Sequence, residues 1–213
     1  MTQLILPLES KSALGREDFI VAPGNREAVA FVDAFPNWPA PAAAFIGPAG
    51  SGKSHLAAAW AMRAKARIVA ASAIDAAALG VDAIVVEDLD RVPPDAGRDN
   101  VLFALLERGT AMVVTAREPP GQWRAAVPDL SSRYRALLTF QFWETDEALL
   151  GALARKLFAD RQLVVPDVAV EQMIRSLERS PEAIRDFVAR ADAKALAEKR
   201  PITAALVREL LPP

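Results

Sequence analysis

The sequence predicts an α/β fold: a five-stranded parallel sheet covered by helices on both faces, followed by a smaller all-helical unit. Three observations predict it. Gly47-Pro48-Ala49-Gly50-Ser51-Gly52-Lys53-Ser54 spells a complete G-x-x-x-x-G-K-[ST] phosphate-binding loop between the apolar run 43–46 and an Ala/Leu-rich stretch running to Arg67. Short apolar runs then alternate with helical segments as far as residue 144, the pattern of a parallel sheet. From Thr145 onward the strand signal disappears and only helix signals remain.

Taken in order, residues 1–12 form an apolar N-terminal peptide. In Gln3-Leu4-Ile5-Leu6-Pro7-Leu8, Pro7 excludes a helix or a central strand through it. The residues themselves leave two readings open: a tail packed on its own domain, or an extended peptide whose leucines enter a groove on another protein. Residues 13–144 form the α/β domain. Phe19-Ile20-Val21 precede a helix from Arg26 to Ala34, with Asn25 expected as its N-cap, and 37–41 link to the first strand, 43–46. After the loop helix come strand 67–71, a brief helix at 73–79, and strand 83–88, which ends on two acids. A helix follows at 99–108, with Asp99 or Asn100 near its start, then strands 111–115 and 137–140. Residues 145–213 form the helical domain, its helices opened by Thr145, by Pro166-Asp167, by Ser180 with Pro181 at the first helical position, and by Pro201-Ile202-Thr203.

Composition sets bounds on function. The chain has 213 residues, 52% hydrophobic and 24% charged, with a formal net charge of −2, so it is globular and carries no electrostatic signature of a DNA- or membrane-surface binder. The absence of cysteine excludes disulfides and thiolate metal sites. No apolar run suffices to span a bilayer and the N-terminus lacks a signal-peptide pattern, so a cytoplasmic protein is expected.

The chemistry centres on the loop. Its glycines let successive backbone N–H groups converge on one concavity at a helix N-terminus, where an anion is favoured. Lys53 is expected at the β- and γ-phosphates of a nucleotide and Ser54 at a magnesium ion. Glu87 and Asp88 end a strand where ligands of parallel sheets bind; one acid suits ordering of magnesium and the next polarises an attacking water, unless the pair is only a solvated turn. Thr115 ends the next strand at the same edge, either as a hydroxyl facing the γ-phosphate or as an ordinary β-branched strand residue. Arg133 and Arg185 read, by themselves, as surface arginines. His55, the only histidine, reads as packing or capping at the loop helix, and Trp38, Trp60, Trp123 and Trp143 as core or interface filler.

Together these segments resemble the AAA+ ATPases of the bacterial replication-initiator group over nearly the whole chain. Gly47 to Ser54 with His55-Leu56 matches Walker A, Glu87-Asp88 Walker B, Thr115 to Pro120 the sensor 1 segment, and Ser132-Arg133-Tyr134 the arginine-finger segment. Arg185-Asp186-Phe187 is similar to sensor 2, and Phe19-Ile20-Val21 with Asn25 to the segment enclosing adenine. Within the group the Hda family is most similar. Gln3, Leu4, Leu6, Pro7 and Leu8 resemble its sliding-clamp peptide, and the sequence given leaves no residues for the initiator's C-terminal helix-turn-helix.

The resemblance implies a nucleotide-bound protein, with ATP or ADP and Mg2+, that docks on the DNA polymerase III β sliding clamp. It stimulates hydrolysis of ATP on DnaA, with Arg133 against the partner's γ-phosphate. It implies no sequence-specific DNA contact and allows a homodimer. Two departures from the family pattern, Glu87 for aspartate and Arg117 for a polar or acidic residue, argue against vigorous self-hydrolysis. An autonomous ATPase of the helicase-loader type is the alternative. A small-molecule kinase is the third reading, but it lacks a recognisable acceptor site and basic lid.

Overall fold

A computed structural model describes residues 15–16, 19–142 and 147–211. Five parallel strands, β1 (Ala42–Ile46), β2 (Arg67–Ala70), β3 (Ala83–Glu87), β4 (Ala111–Ala116) and β5 (Leu138–Gln141), stand in the order β2-β3-β4-β1-β5. Every residue of β1 is buried, which is why its sequence, Ala-Ala-Ala-Phe-Ile, has no polar alternation: both of its faces are covered.

The period of two sends alternate side chains to two cores. On one face Ala44, Ile84, Val86, Met112 and Val114 pack against α3 (Ala96–Glu107) and α4 (Pro128–Arg135). On the other, Phe45, Val85 and Val113 meet Leu56 and Trp60 of α2 (Lys53–Ala64) and Phe31 and Val32 of α1 (Arg26–Asp33). Arg63 near the end of α2 donates to the carbonyls of Asp33 (3.0 Å) and Phe35 (2.6 Å), satisfying acceptors left open where α1 ends.

Residues beyond 146 form four helices, α5 (Glu147–Asp160), α6 (Asp167–Ser176), α7 (Pro181–Glu198) and α8 (Ala204–Leu210), around a separate apolar core that includes Phe158, Met173, Ile184, Phe187 and Leu206. The expected start of α7 is present: Ser180 Oγ accepts from the Ala183 N–H at 3.1 Å, and Pro181 occupies the first helical position. Replacing Ser180 by alanine orphans that donor. The expected result is a loss of about 1 kcal/mol, read as a lower urea midpoint at unchanged slope.

Several local expectations are corrected. Asn25 does not cap α1 through its side chain; its Oδ1 accepts from the Ala22 N–H and its Nδ2 donates to the Ile20 carbonyl, so the amide folds the preceding strap instead. Asp95, not Asp99 or Asn100, caps α3, accepting from the Arg98 N–H at 2.7 Å. The 73–79 helix is two short 3₁₀ turns, Ala71–Ala73 and Ala76–Gly80. The helix α4 was not expected. The N-terminal peptide, Trp143 and the Thr145 cap lie outside the described residues. Among those described, no helix is long and apolar enough to cross a membrane.

Candidate nucleotide site

The phosphate loop leaves the carboxyl end of β1 and is gripped by both neighbouring strands. The Gly47 N–H donates to the Ala116 carbonyl at 3.2 Å, and the Phe142 N–H donates to the Ile46 carbonyl at 2.7 Å. Gly47 has φ +143°, and a Cβ there would stand 2.2 Å from the Phe142 carbonyl oxygen, so backbone approaches too closely for any side chain. Gly52 turns the chain into α2 with φ +95° and faces the Phe19 ring.

Lys53 is the first residue of α2 and is buried. Its Nζ donates to the carbonyls of Gly47 (2.8 Å) and Pro48 (2.6 Å) and to Ser51 Oγ at 3.3 Å, so the cation lies inside the curl of the loop. Burial lowers its pKa from the ordinary lysine value; the carboxylates of Asp88 and Asp90 act in the opposite sense, and the positive charge of Arg117 adds to the lowering.

A hollow of about 250 Å³ opens over Gly50, Ser51, Gly52, Lys53, Ser54 and His55 and is bounded on its far side by Pro181 and Arg185 of α7. Beside it lies a narrower cleft that shares Gly50 to Gly52, His55, Pro181 and Arg185 as lining and adds Phe19, Ile20, Asn25 and, from α5, Leu149 and Leu153. One end of the combined site is therefore a backbone cradle with two cations, and the other is an apolar slot. That division matches the two ends of a nucleotide: phosphates need converging donors, and a base needs flat apolar walls. The strap forming the slot is fixed by Asn25 and by a bidentate pair, Arg16 Nε and NH2 to Asp33 at 2.8 Å each, which holds the Asp33 carboxyl below its usual range. His55 adds an edge contact to Phe19, 5.3 Å between centroids.

The expected site residues thus separate into groups. Gly50, Ser51, Gly52, Lys53, Ser54, His55, Ile20, Asn25 and Arg185 come together; Gly47, Pro48 and Ala49 shape the loop beneath them. Val21 is half exposed and does not line the site, because the Asn25 amide turns the strap away after Ile20. Glu87 and Asp88 lie at the carboxyl end of β3, Glu87 half-buried and Asp88 exposed. Thr115 Oγ1 accepts from the Asp88 N–H at 3.1 Å, so its hydroxyl braces the acidic turn. Leu149 and Leu153 were not foreseen; α5 carried no signal for which of its leucines would face the loop.

Arg133 is elsewhere. It stands in the last turn of α4, immediately before β5, paired with Glu107, the last residue of α3, and 5.9 Å from the centroid of Phe103. In a parallel sheet, a helix that feeds the next strand ends at the amino edge, opposite the edge where β1 releases the phosphate loop. Arg133 therefore faces away from the chain's own hollow.

No protein-family model matches the chain, and no curated protein matches it. Solved structures do. Domain III of the replication initiation protein DnaA from Thermotoga maritima superposes with a TM-score of 0.75 at 18% identity, covering 94% of this chain and 96% of that one. AMPPCP-bound DnaA from Aquifex aeolicus gives 0.72 at 17% identity, covering 86% of this chain and 66% of its own, so this chain spans about two thirds of that initiator. A RuvB variant from Thermotoga maritima gives 0.72 at 14% identity, covering 92% and 70%. The fold is that of the AAA+ domains of DnaA and RuvB, and it resembles the DnaA-like form over almost its full length.

Proposed function

We propose that this protein is a DnaA-related nucleotide-binding regulator of replication initiation, of the Hda type. It docks on the sliding clamp through Gln3, Leu4, Leu6, Pro7 and Leu8. It holds ATP or ADP between its α/β domain and its helical lid, and it stimulates hydrolysis of ATP bound to DnaA, which prevents re-initiation. The observation that carries the nucleotide reading is the hollow over the phosphate loop and Arg185 together with the adjoining cleft that the loop shares with the 19–25 strap and the lid residues Leu149 and Leu153.

Each residue has a task in that reading. The N–H groups of the loop and Lys53 bind the phosphates, and Arg185 brings the lid's charge to them. Phe19, Ile20 and Leu153 exclude water from the base. Ser54 and Glu87 are hard oxygen donors of the kind that hold Mg2+, which when bound would neutralise charge on the β- and γ-oxygens. Asp88 holds the position of a water-polarising acid. Arg133 acts on another molecule, because the sheet separates it from this chain's own phosphates.

The test mixes the full chain with clamp, DNA and ATP-loaded DnaA. Deleting residues 1–9 is expected to abolish both clamp retention in a pull-down and stimulated hydrolysis. Rapid turnover by the isolated protein, unchanged by that deletion, would instead identify an autonomous ATPase of the helicase-loader type.

A further inference from the structure

Arg133 does not stand free at the edge of the molecule. Its guanidinium lies back along α3, paired with the Glu107 carboxylate and set over the Phe103 ring, 5.9 Å from its centroid. Residues 103 and 107 are four apart in one helix and project from the same face, one turn from each other. Together they form a seat with an apolar half, which takes a flat guanidinium, and an anionic half, which takes its charge. Glu107 is placed where its own helix disfavours it. It is the last residue of α3, at the end where open carbonyls gather negative partial charge, and that last turn carries no basic residue. The next residue, Arg108, donates to the Leu79 carbonyl, so the charge that compensates Glu107 comes from α4. Both members of the pair stay about half in water, with side chains 50% and 43% exposed. Such a pair is weak and exchanges readily for a stronger anion.

We propose that Glu107 is an autoinhibitory latch on the finger: it holds the Arg133 guanidinium against α3 in the free protein and competes for it with the terminal phosphate of the partner's nucleotide. This rests on the finger assignment above. The carboxylate and the phosphate claim the same N–H fork, and two anions on one guanidinium repel each other. Engagement therefore requires the latch to open, and the apparent affinity for the ATP-loaded partner is reduced by the fraction of molecules in which it is open. A terminal phosphate carries more charge than a carboxylate, so it wins the exchange once the molecules have docked. A partner holding a diphosphate lacks the group for which Glu107 is exchanged and leaves the latch shut.

Glu107→Gln, which keeps the shape of the side chain and removes its charge, tests the latch in the full chain with clamp and DNA. It is expected to lower the concentration that half-saturates stimulated hydrolysis of DnaA-bound ATP by about two- to fivefold, with the single-turnover rate at saturation unchanged. The gain should shrink as salt rises, because an exposed pair is screened. Retention of ADP-loaded DnaA should not change, and in the Arg133→Ala background the same substitution should give no gain in retention of AMPPCP-loaded DnaA. A half-saturation that is unchanged or raised, a gain equal for ADP- and AMPPCP-loaded DnaA, or a gain that persists without Arg133 overturns the latch. If the unmodified chain gives no stimulation, or Arg133→Ala stimulates equally well, the finger assignment itself fails and the latch with it, and that result is distinct from a failure confined to Glu107.

Discussion

Arg133→Ala is expected to lower the stimulated hydrolysis of DnaA-bound ATP by about 10³–10⁵-fold while leaving clamp retention and nucleotide binding by this chain unchanged. The size follows from the chemistry of phosphoryl transfer, in which charge spreads over the equatorial oxygens and a cation from a second molecule neutralises it. The selectivity follows from place. The side chain is 50% exposed, and its pair with Glu107 is a surface contact, so its removal should cost about 1 kcal/mol of stability or less. Arg133→Lys keeps the charge but loses the planar fork and should remain strongly impaired. Single-turnover hydrolysis on preloaded DnaA, read beside a thermal melt of the variant, separates the two effects. Stimulation surviving in Arg133→Ala would remove the finger assignment.

Asp99→Ala is expected to have the largest effect on stability, about 3–5 kcal/mol. Asp99 is completely buried and Arg98 nearly so. Oδ1 takes the Arg98 guanidinium at 2.7 and 2.8 Å, and Oδ2 accepts from the Ala126 N–H at 2.7 Å. The Arg98 NH1 also donates to the Pro93 carbonyl at 3.0 Å. Deleting the carboxylate leaves a guanidinium without its counter-charge in the core and an amide without an acceptor. Burial, reinforced by the charge of Asp99, also pushes the neighbouring Tyr134 phenol well above its ordinary range. Urea unfolding should show the loss directly. Arg98→Met combined with Asp99→Asn should recover much of it, since the buried charge goes and an acceptor for Ala126 remains. A loss under about 1 kcal/mol in Asp99→Ala would mean that the pair is hydrated rather than enclosed.

Asp99 also marks the limit of what the sequence discloses. Asp95 and Asp99 both stand near a helix start, and local capping rules do not choose between them. Asp95, in extended backbone, is the cap, whereas Asp99 lies inside the helix and accepts from the N–H of Ala126, a residue distant in sequence. Strand β1 and its loop were legible because covering both faces of a parallel strand requires an unbroken apolar run, and because the glycine spacing is dictated by backbone geometry. Helix α4 was not, because only Leu130 and Tyr134 of its eight residues are buried, too few to set a period. Asn25 is a favourable capping type, yet its amide was recruited by Ile20 and Ala22, a competition that propensity cannot weigh. The loop residues that line the hollow, Gly50 to His55, stood together in the sequence and needed no tertiary information to be grouped. Of the lid half only Arg185 was foreseen, because which leucines of α5 meet the loop depends on how two separately packed cores dock.

The opposition of Arg133 and the phosphate loop across the sheet gives the molecule a polarity. An encounter that brings this edge of one molecule to the nucleotide of another joins unlike surfaces and is heterologous, leaving the first molecule's own nucleotide face open. Two copies related by a two-fold axis cannot satisfy both contacts through one shared patch. Stacking in this manner is directional, like tiles laid all facing one way, and each added member offers the same unsatisfied end as the last.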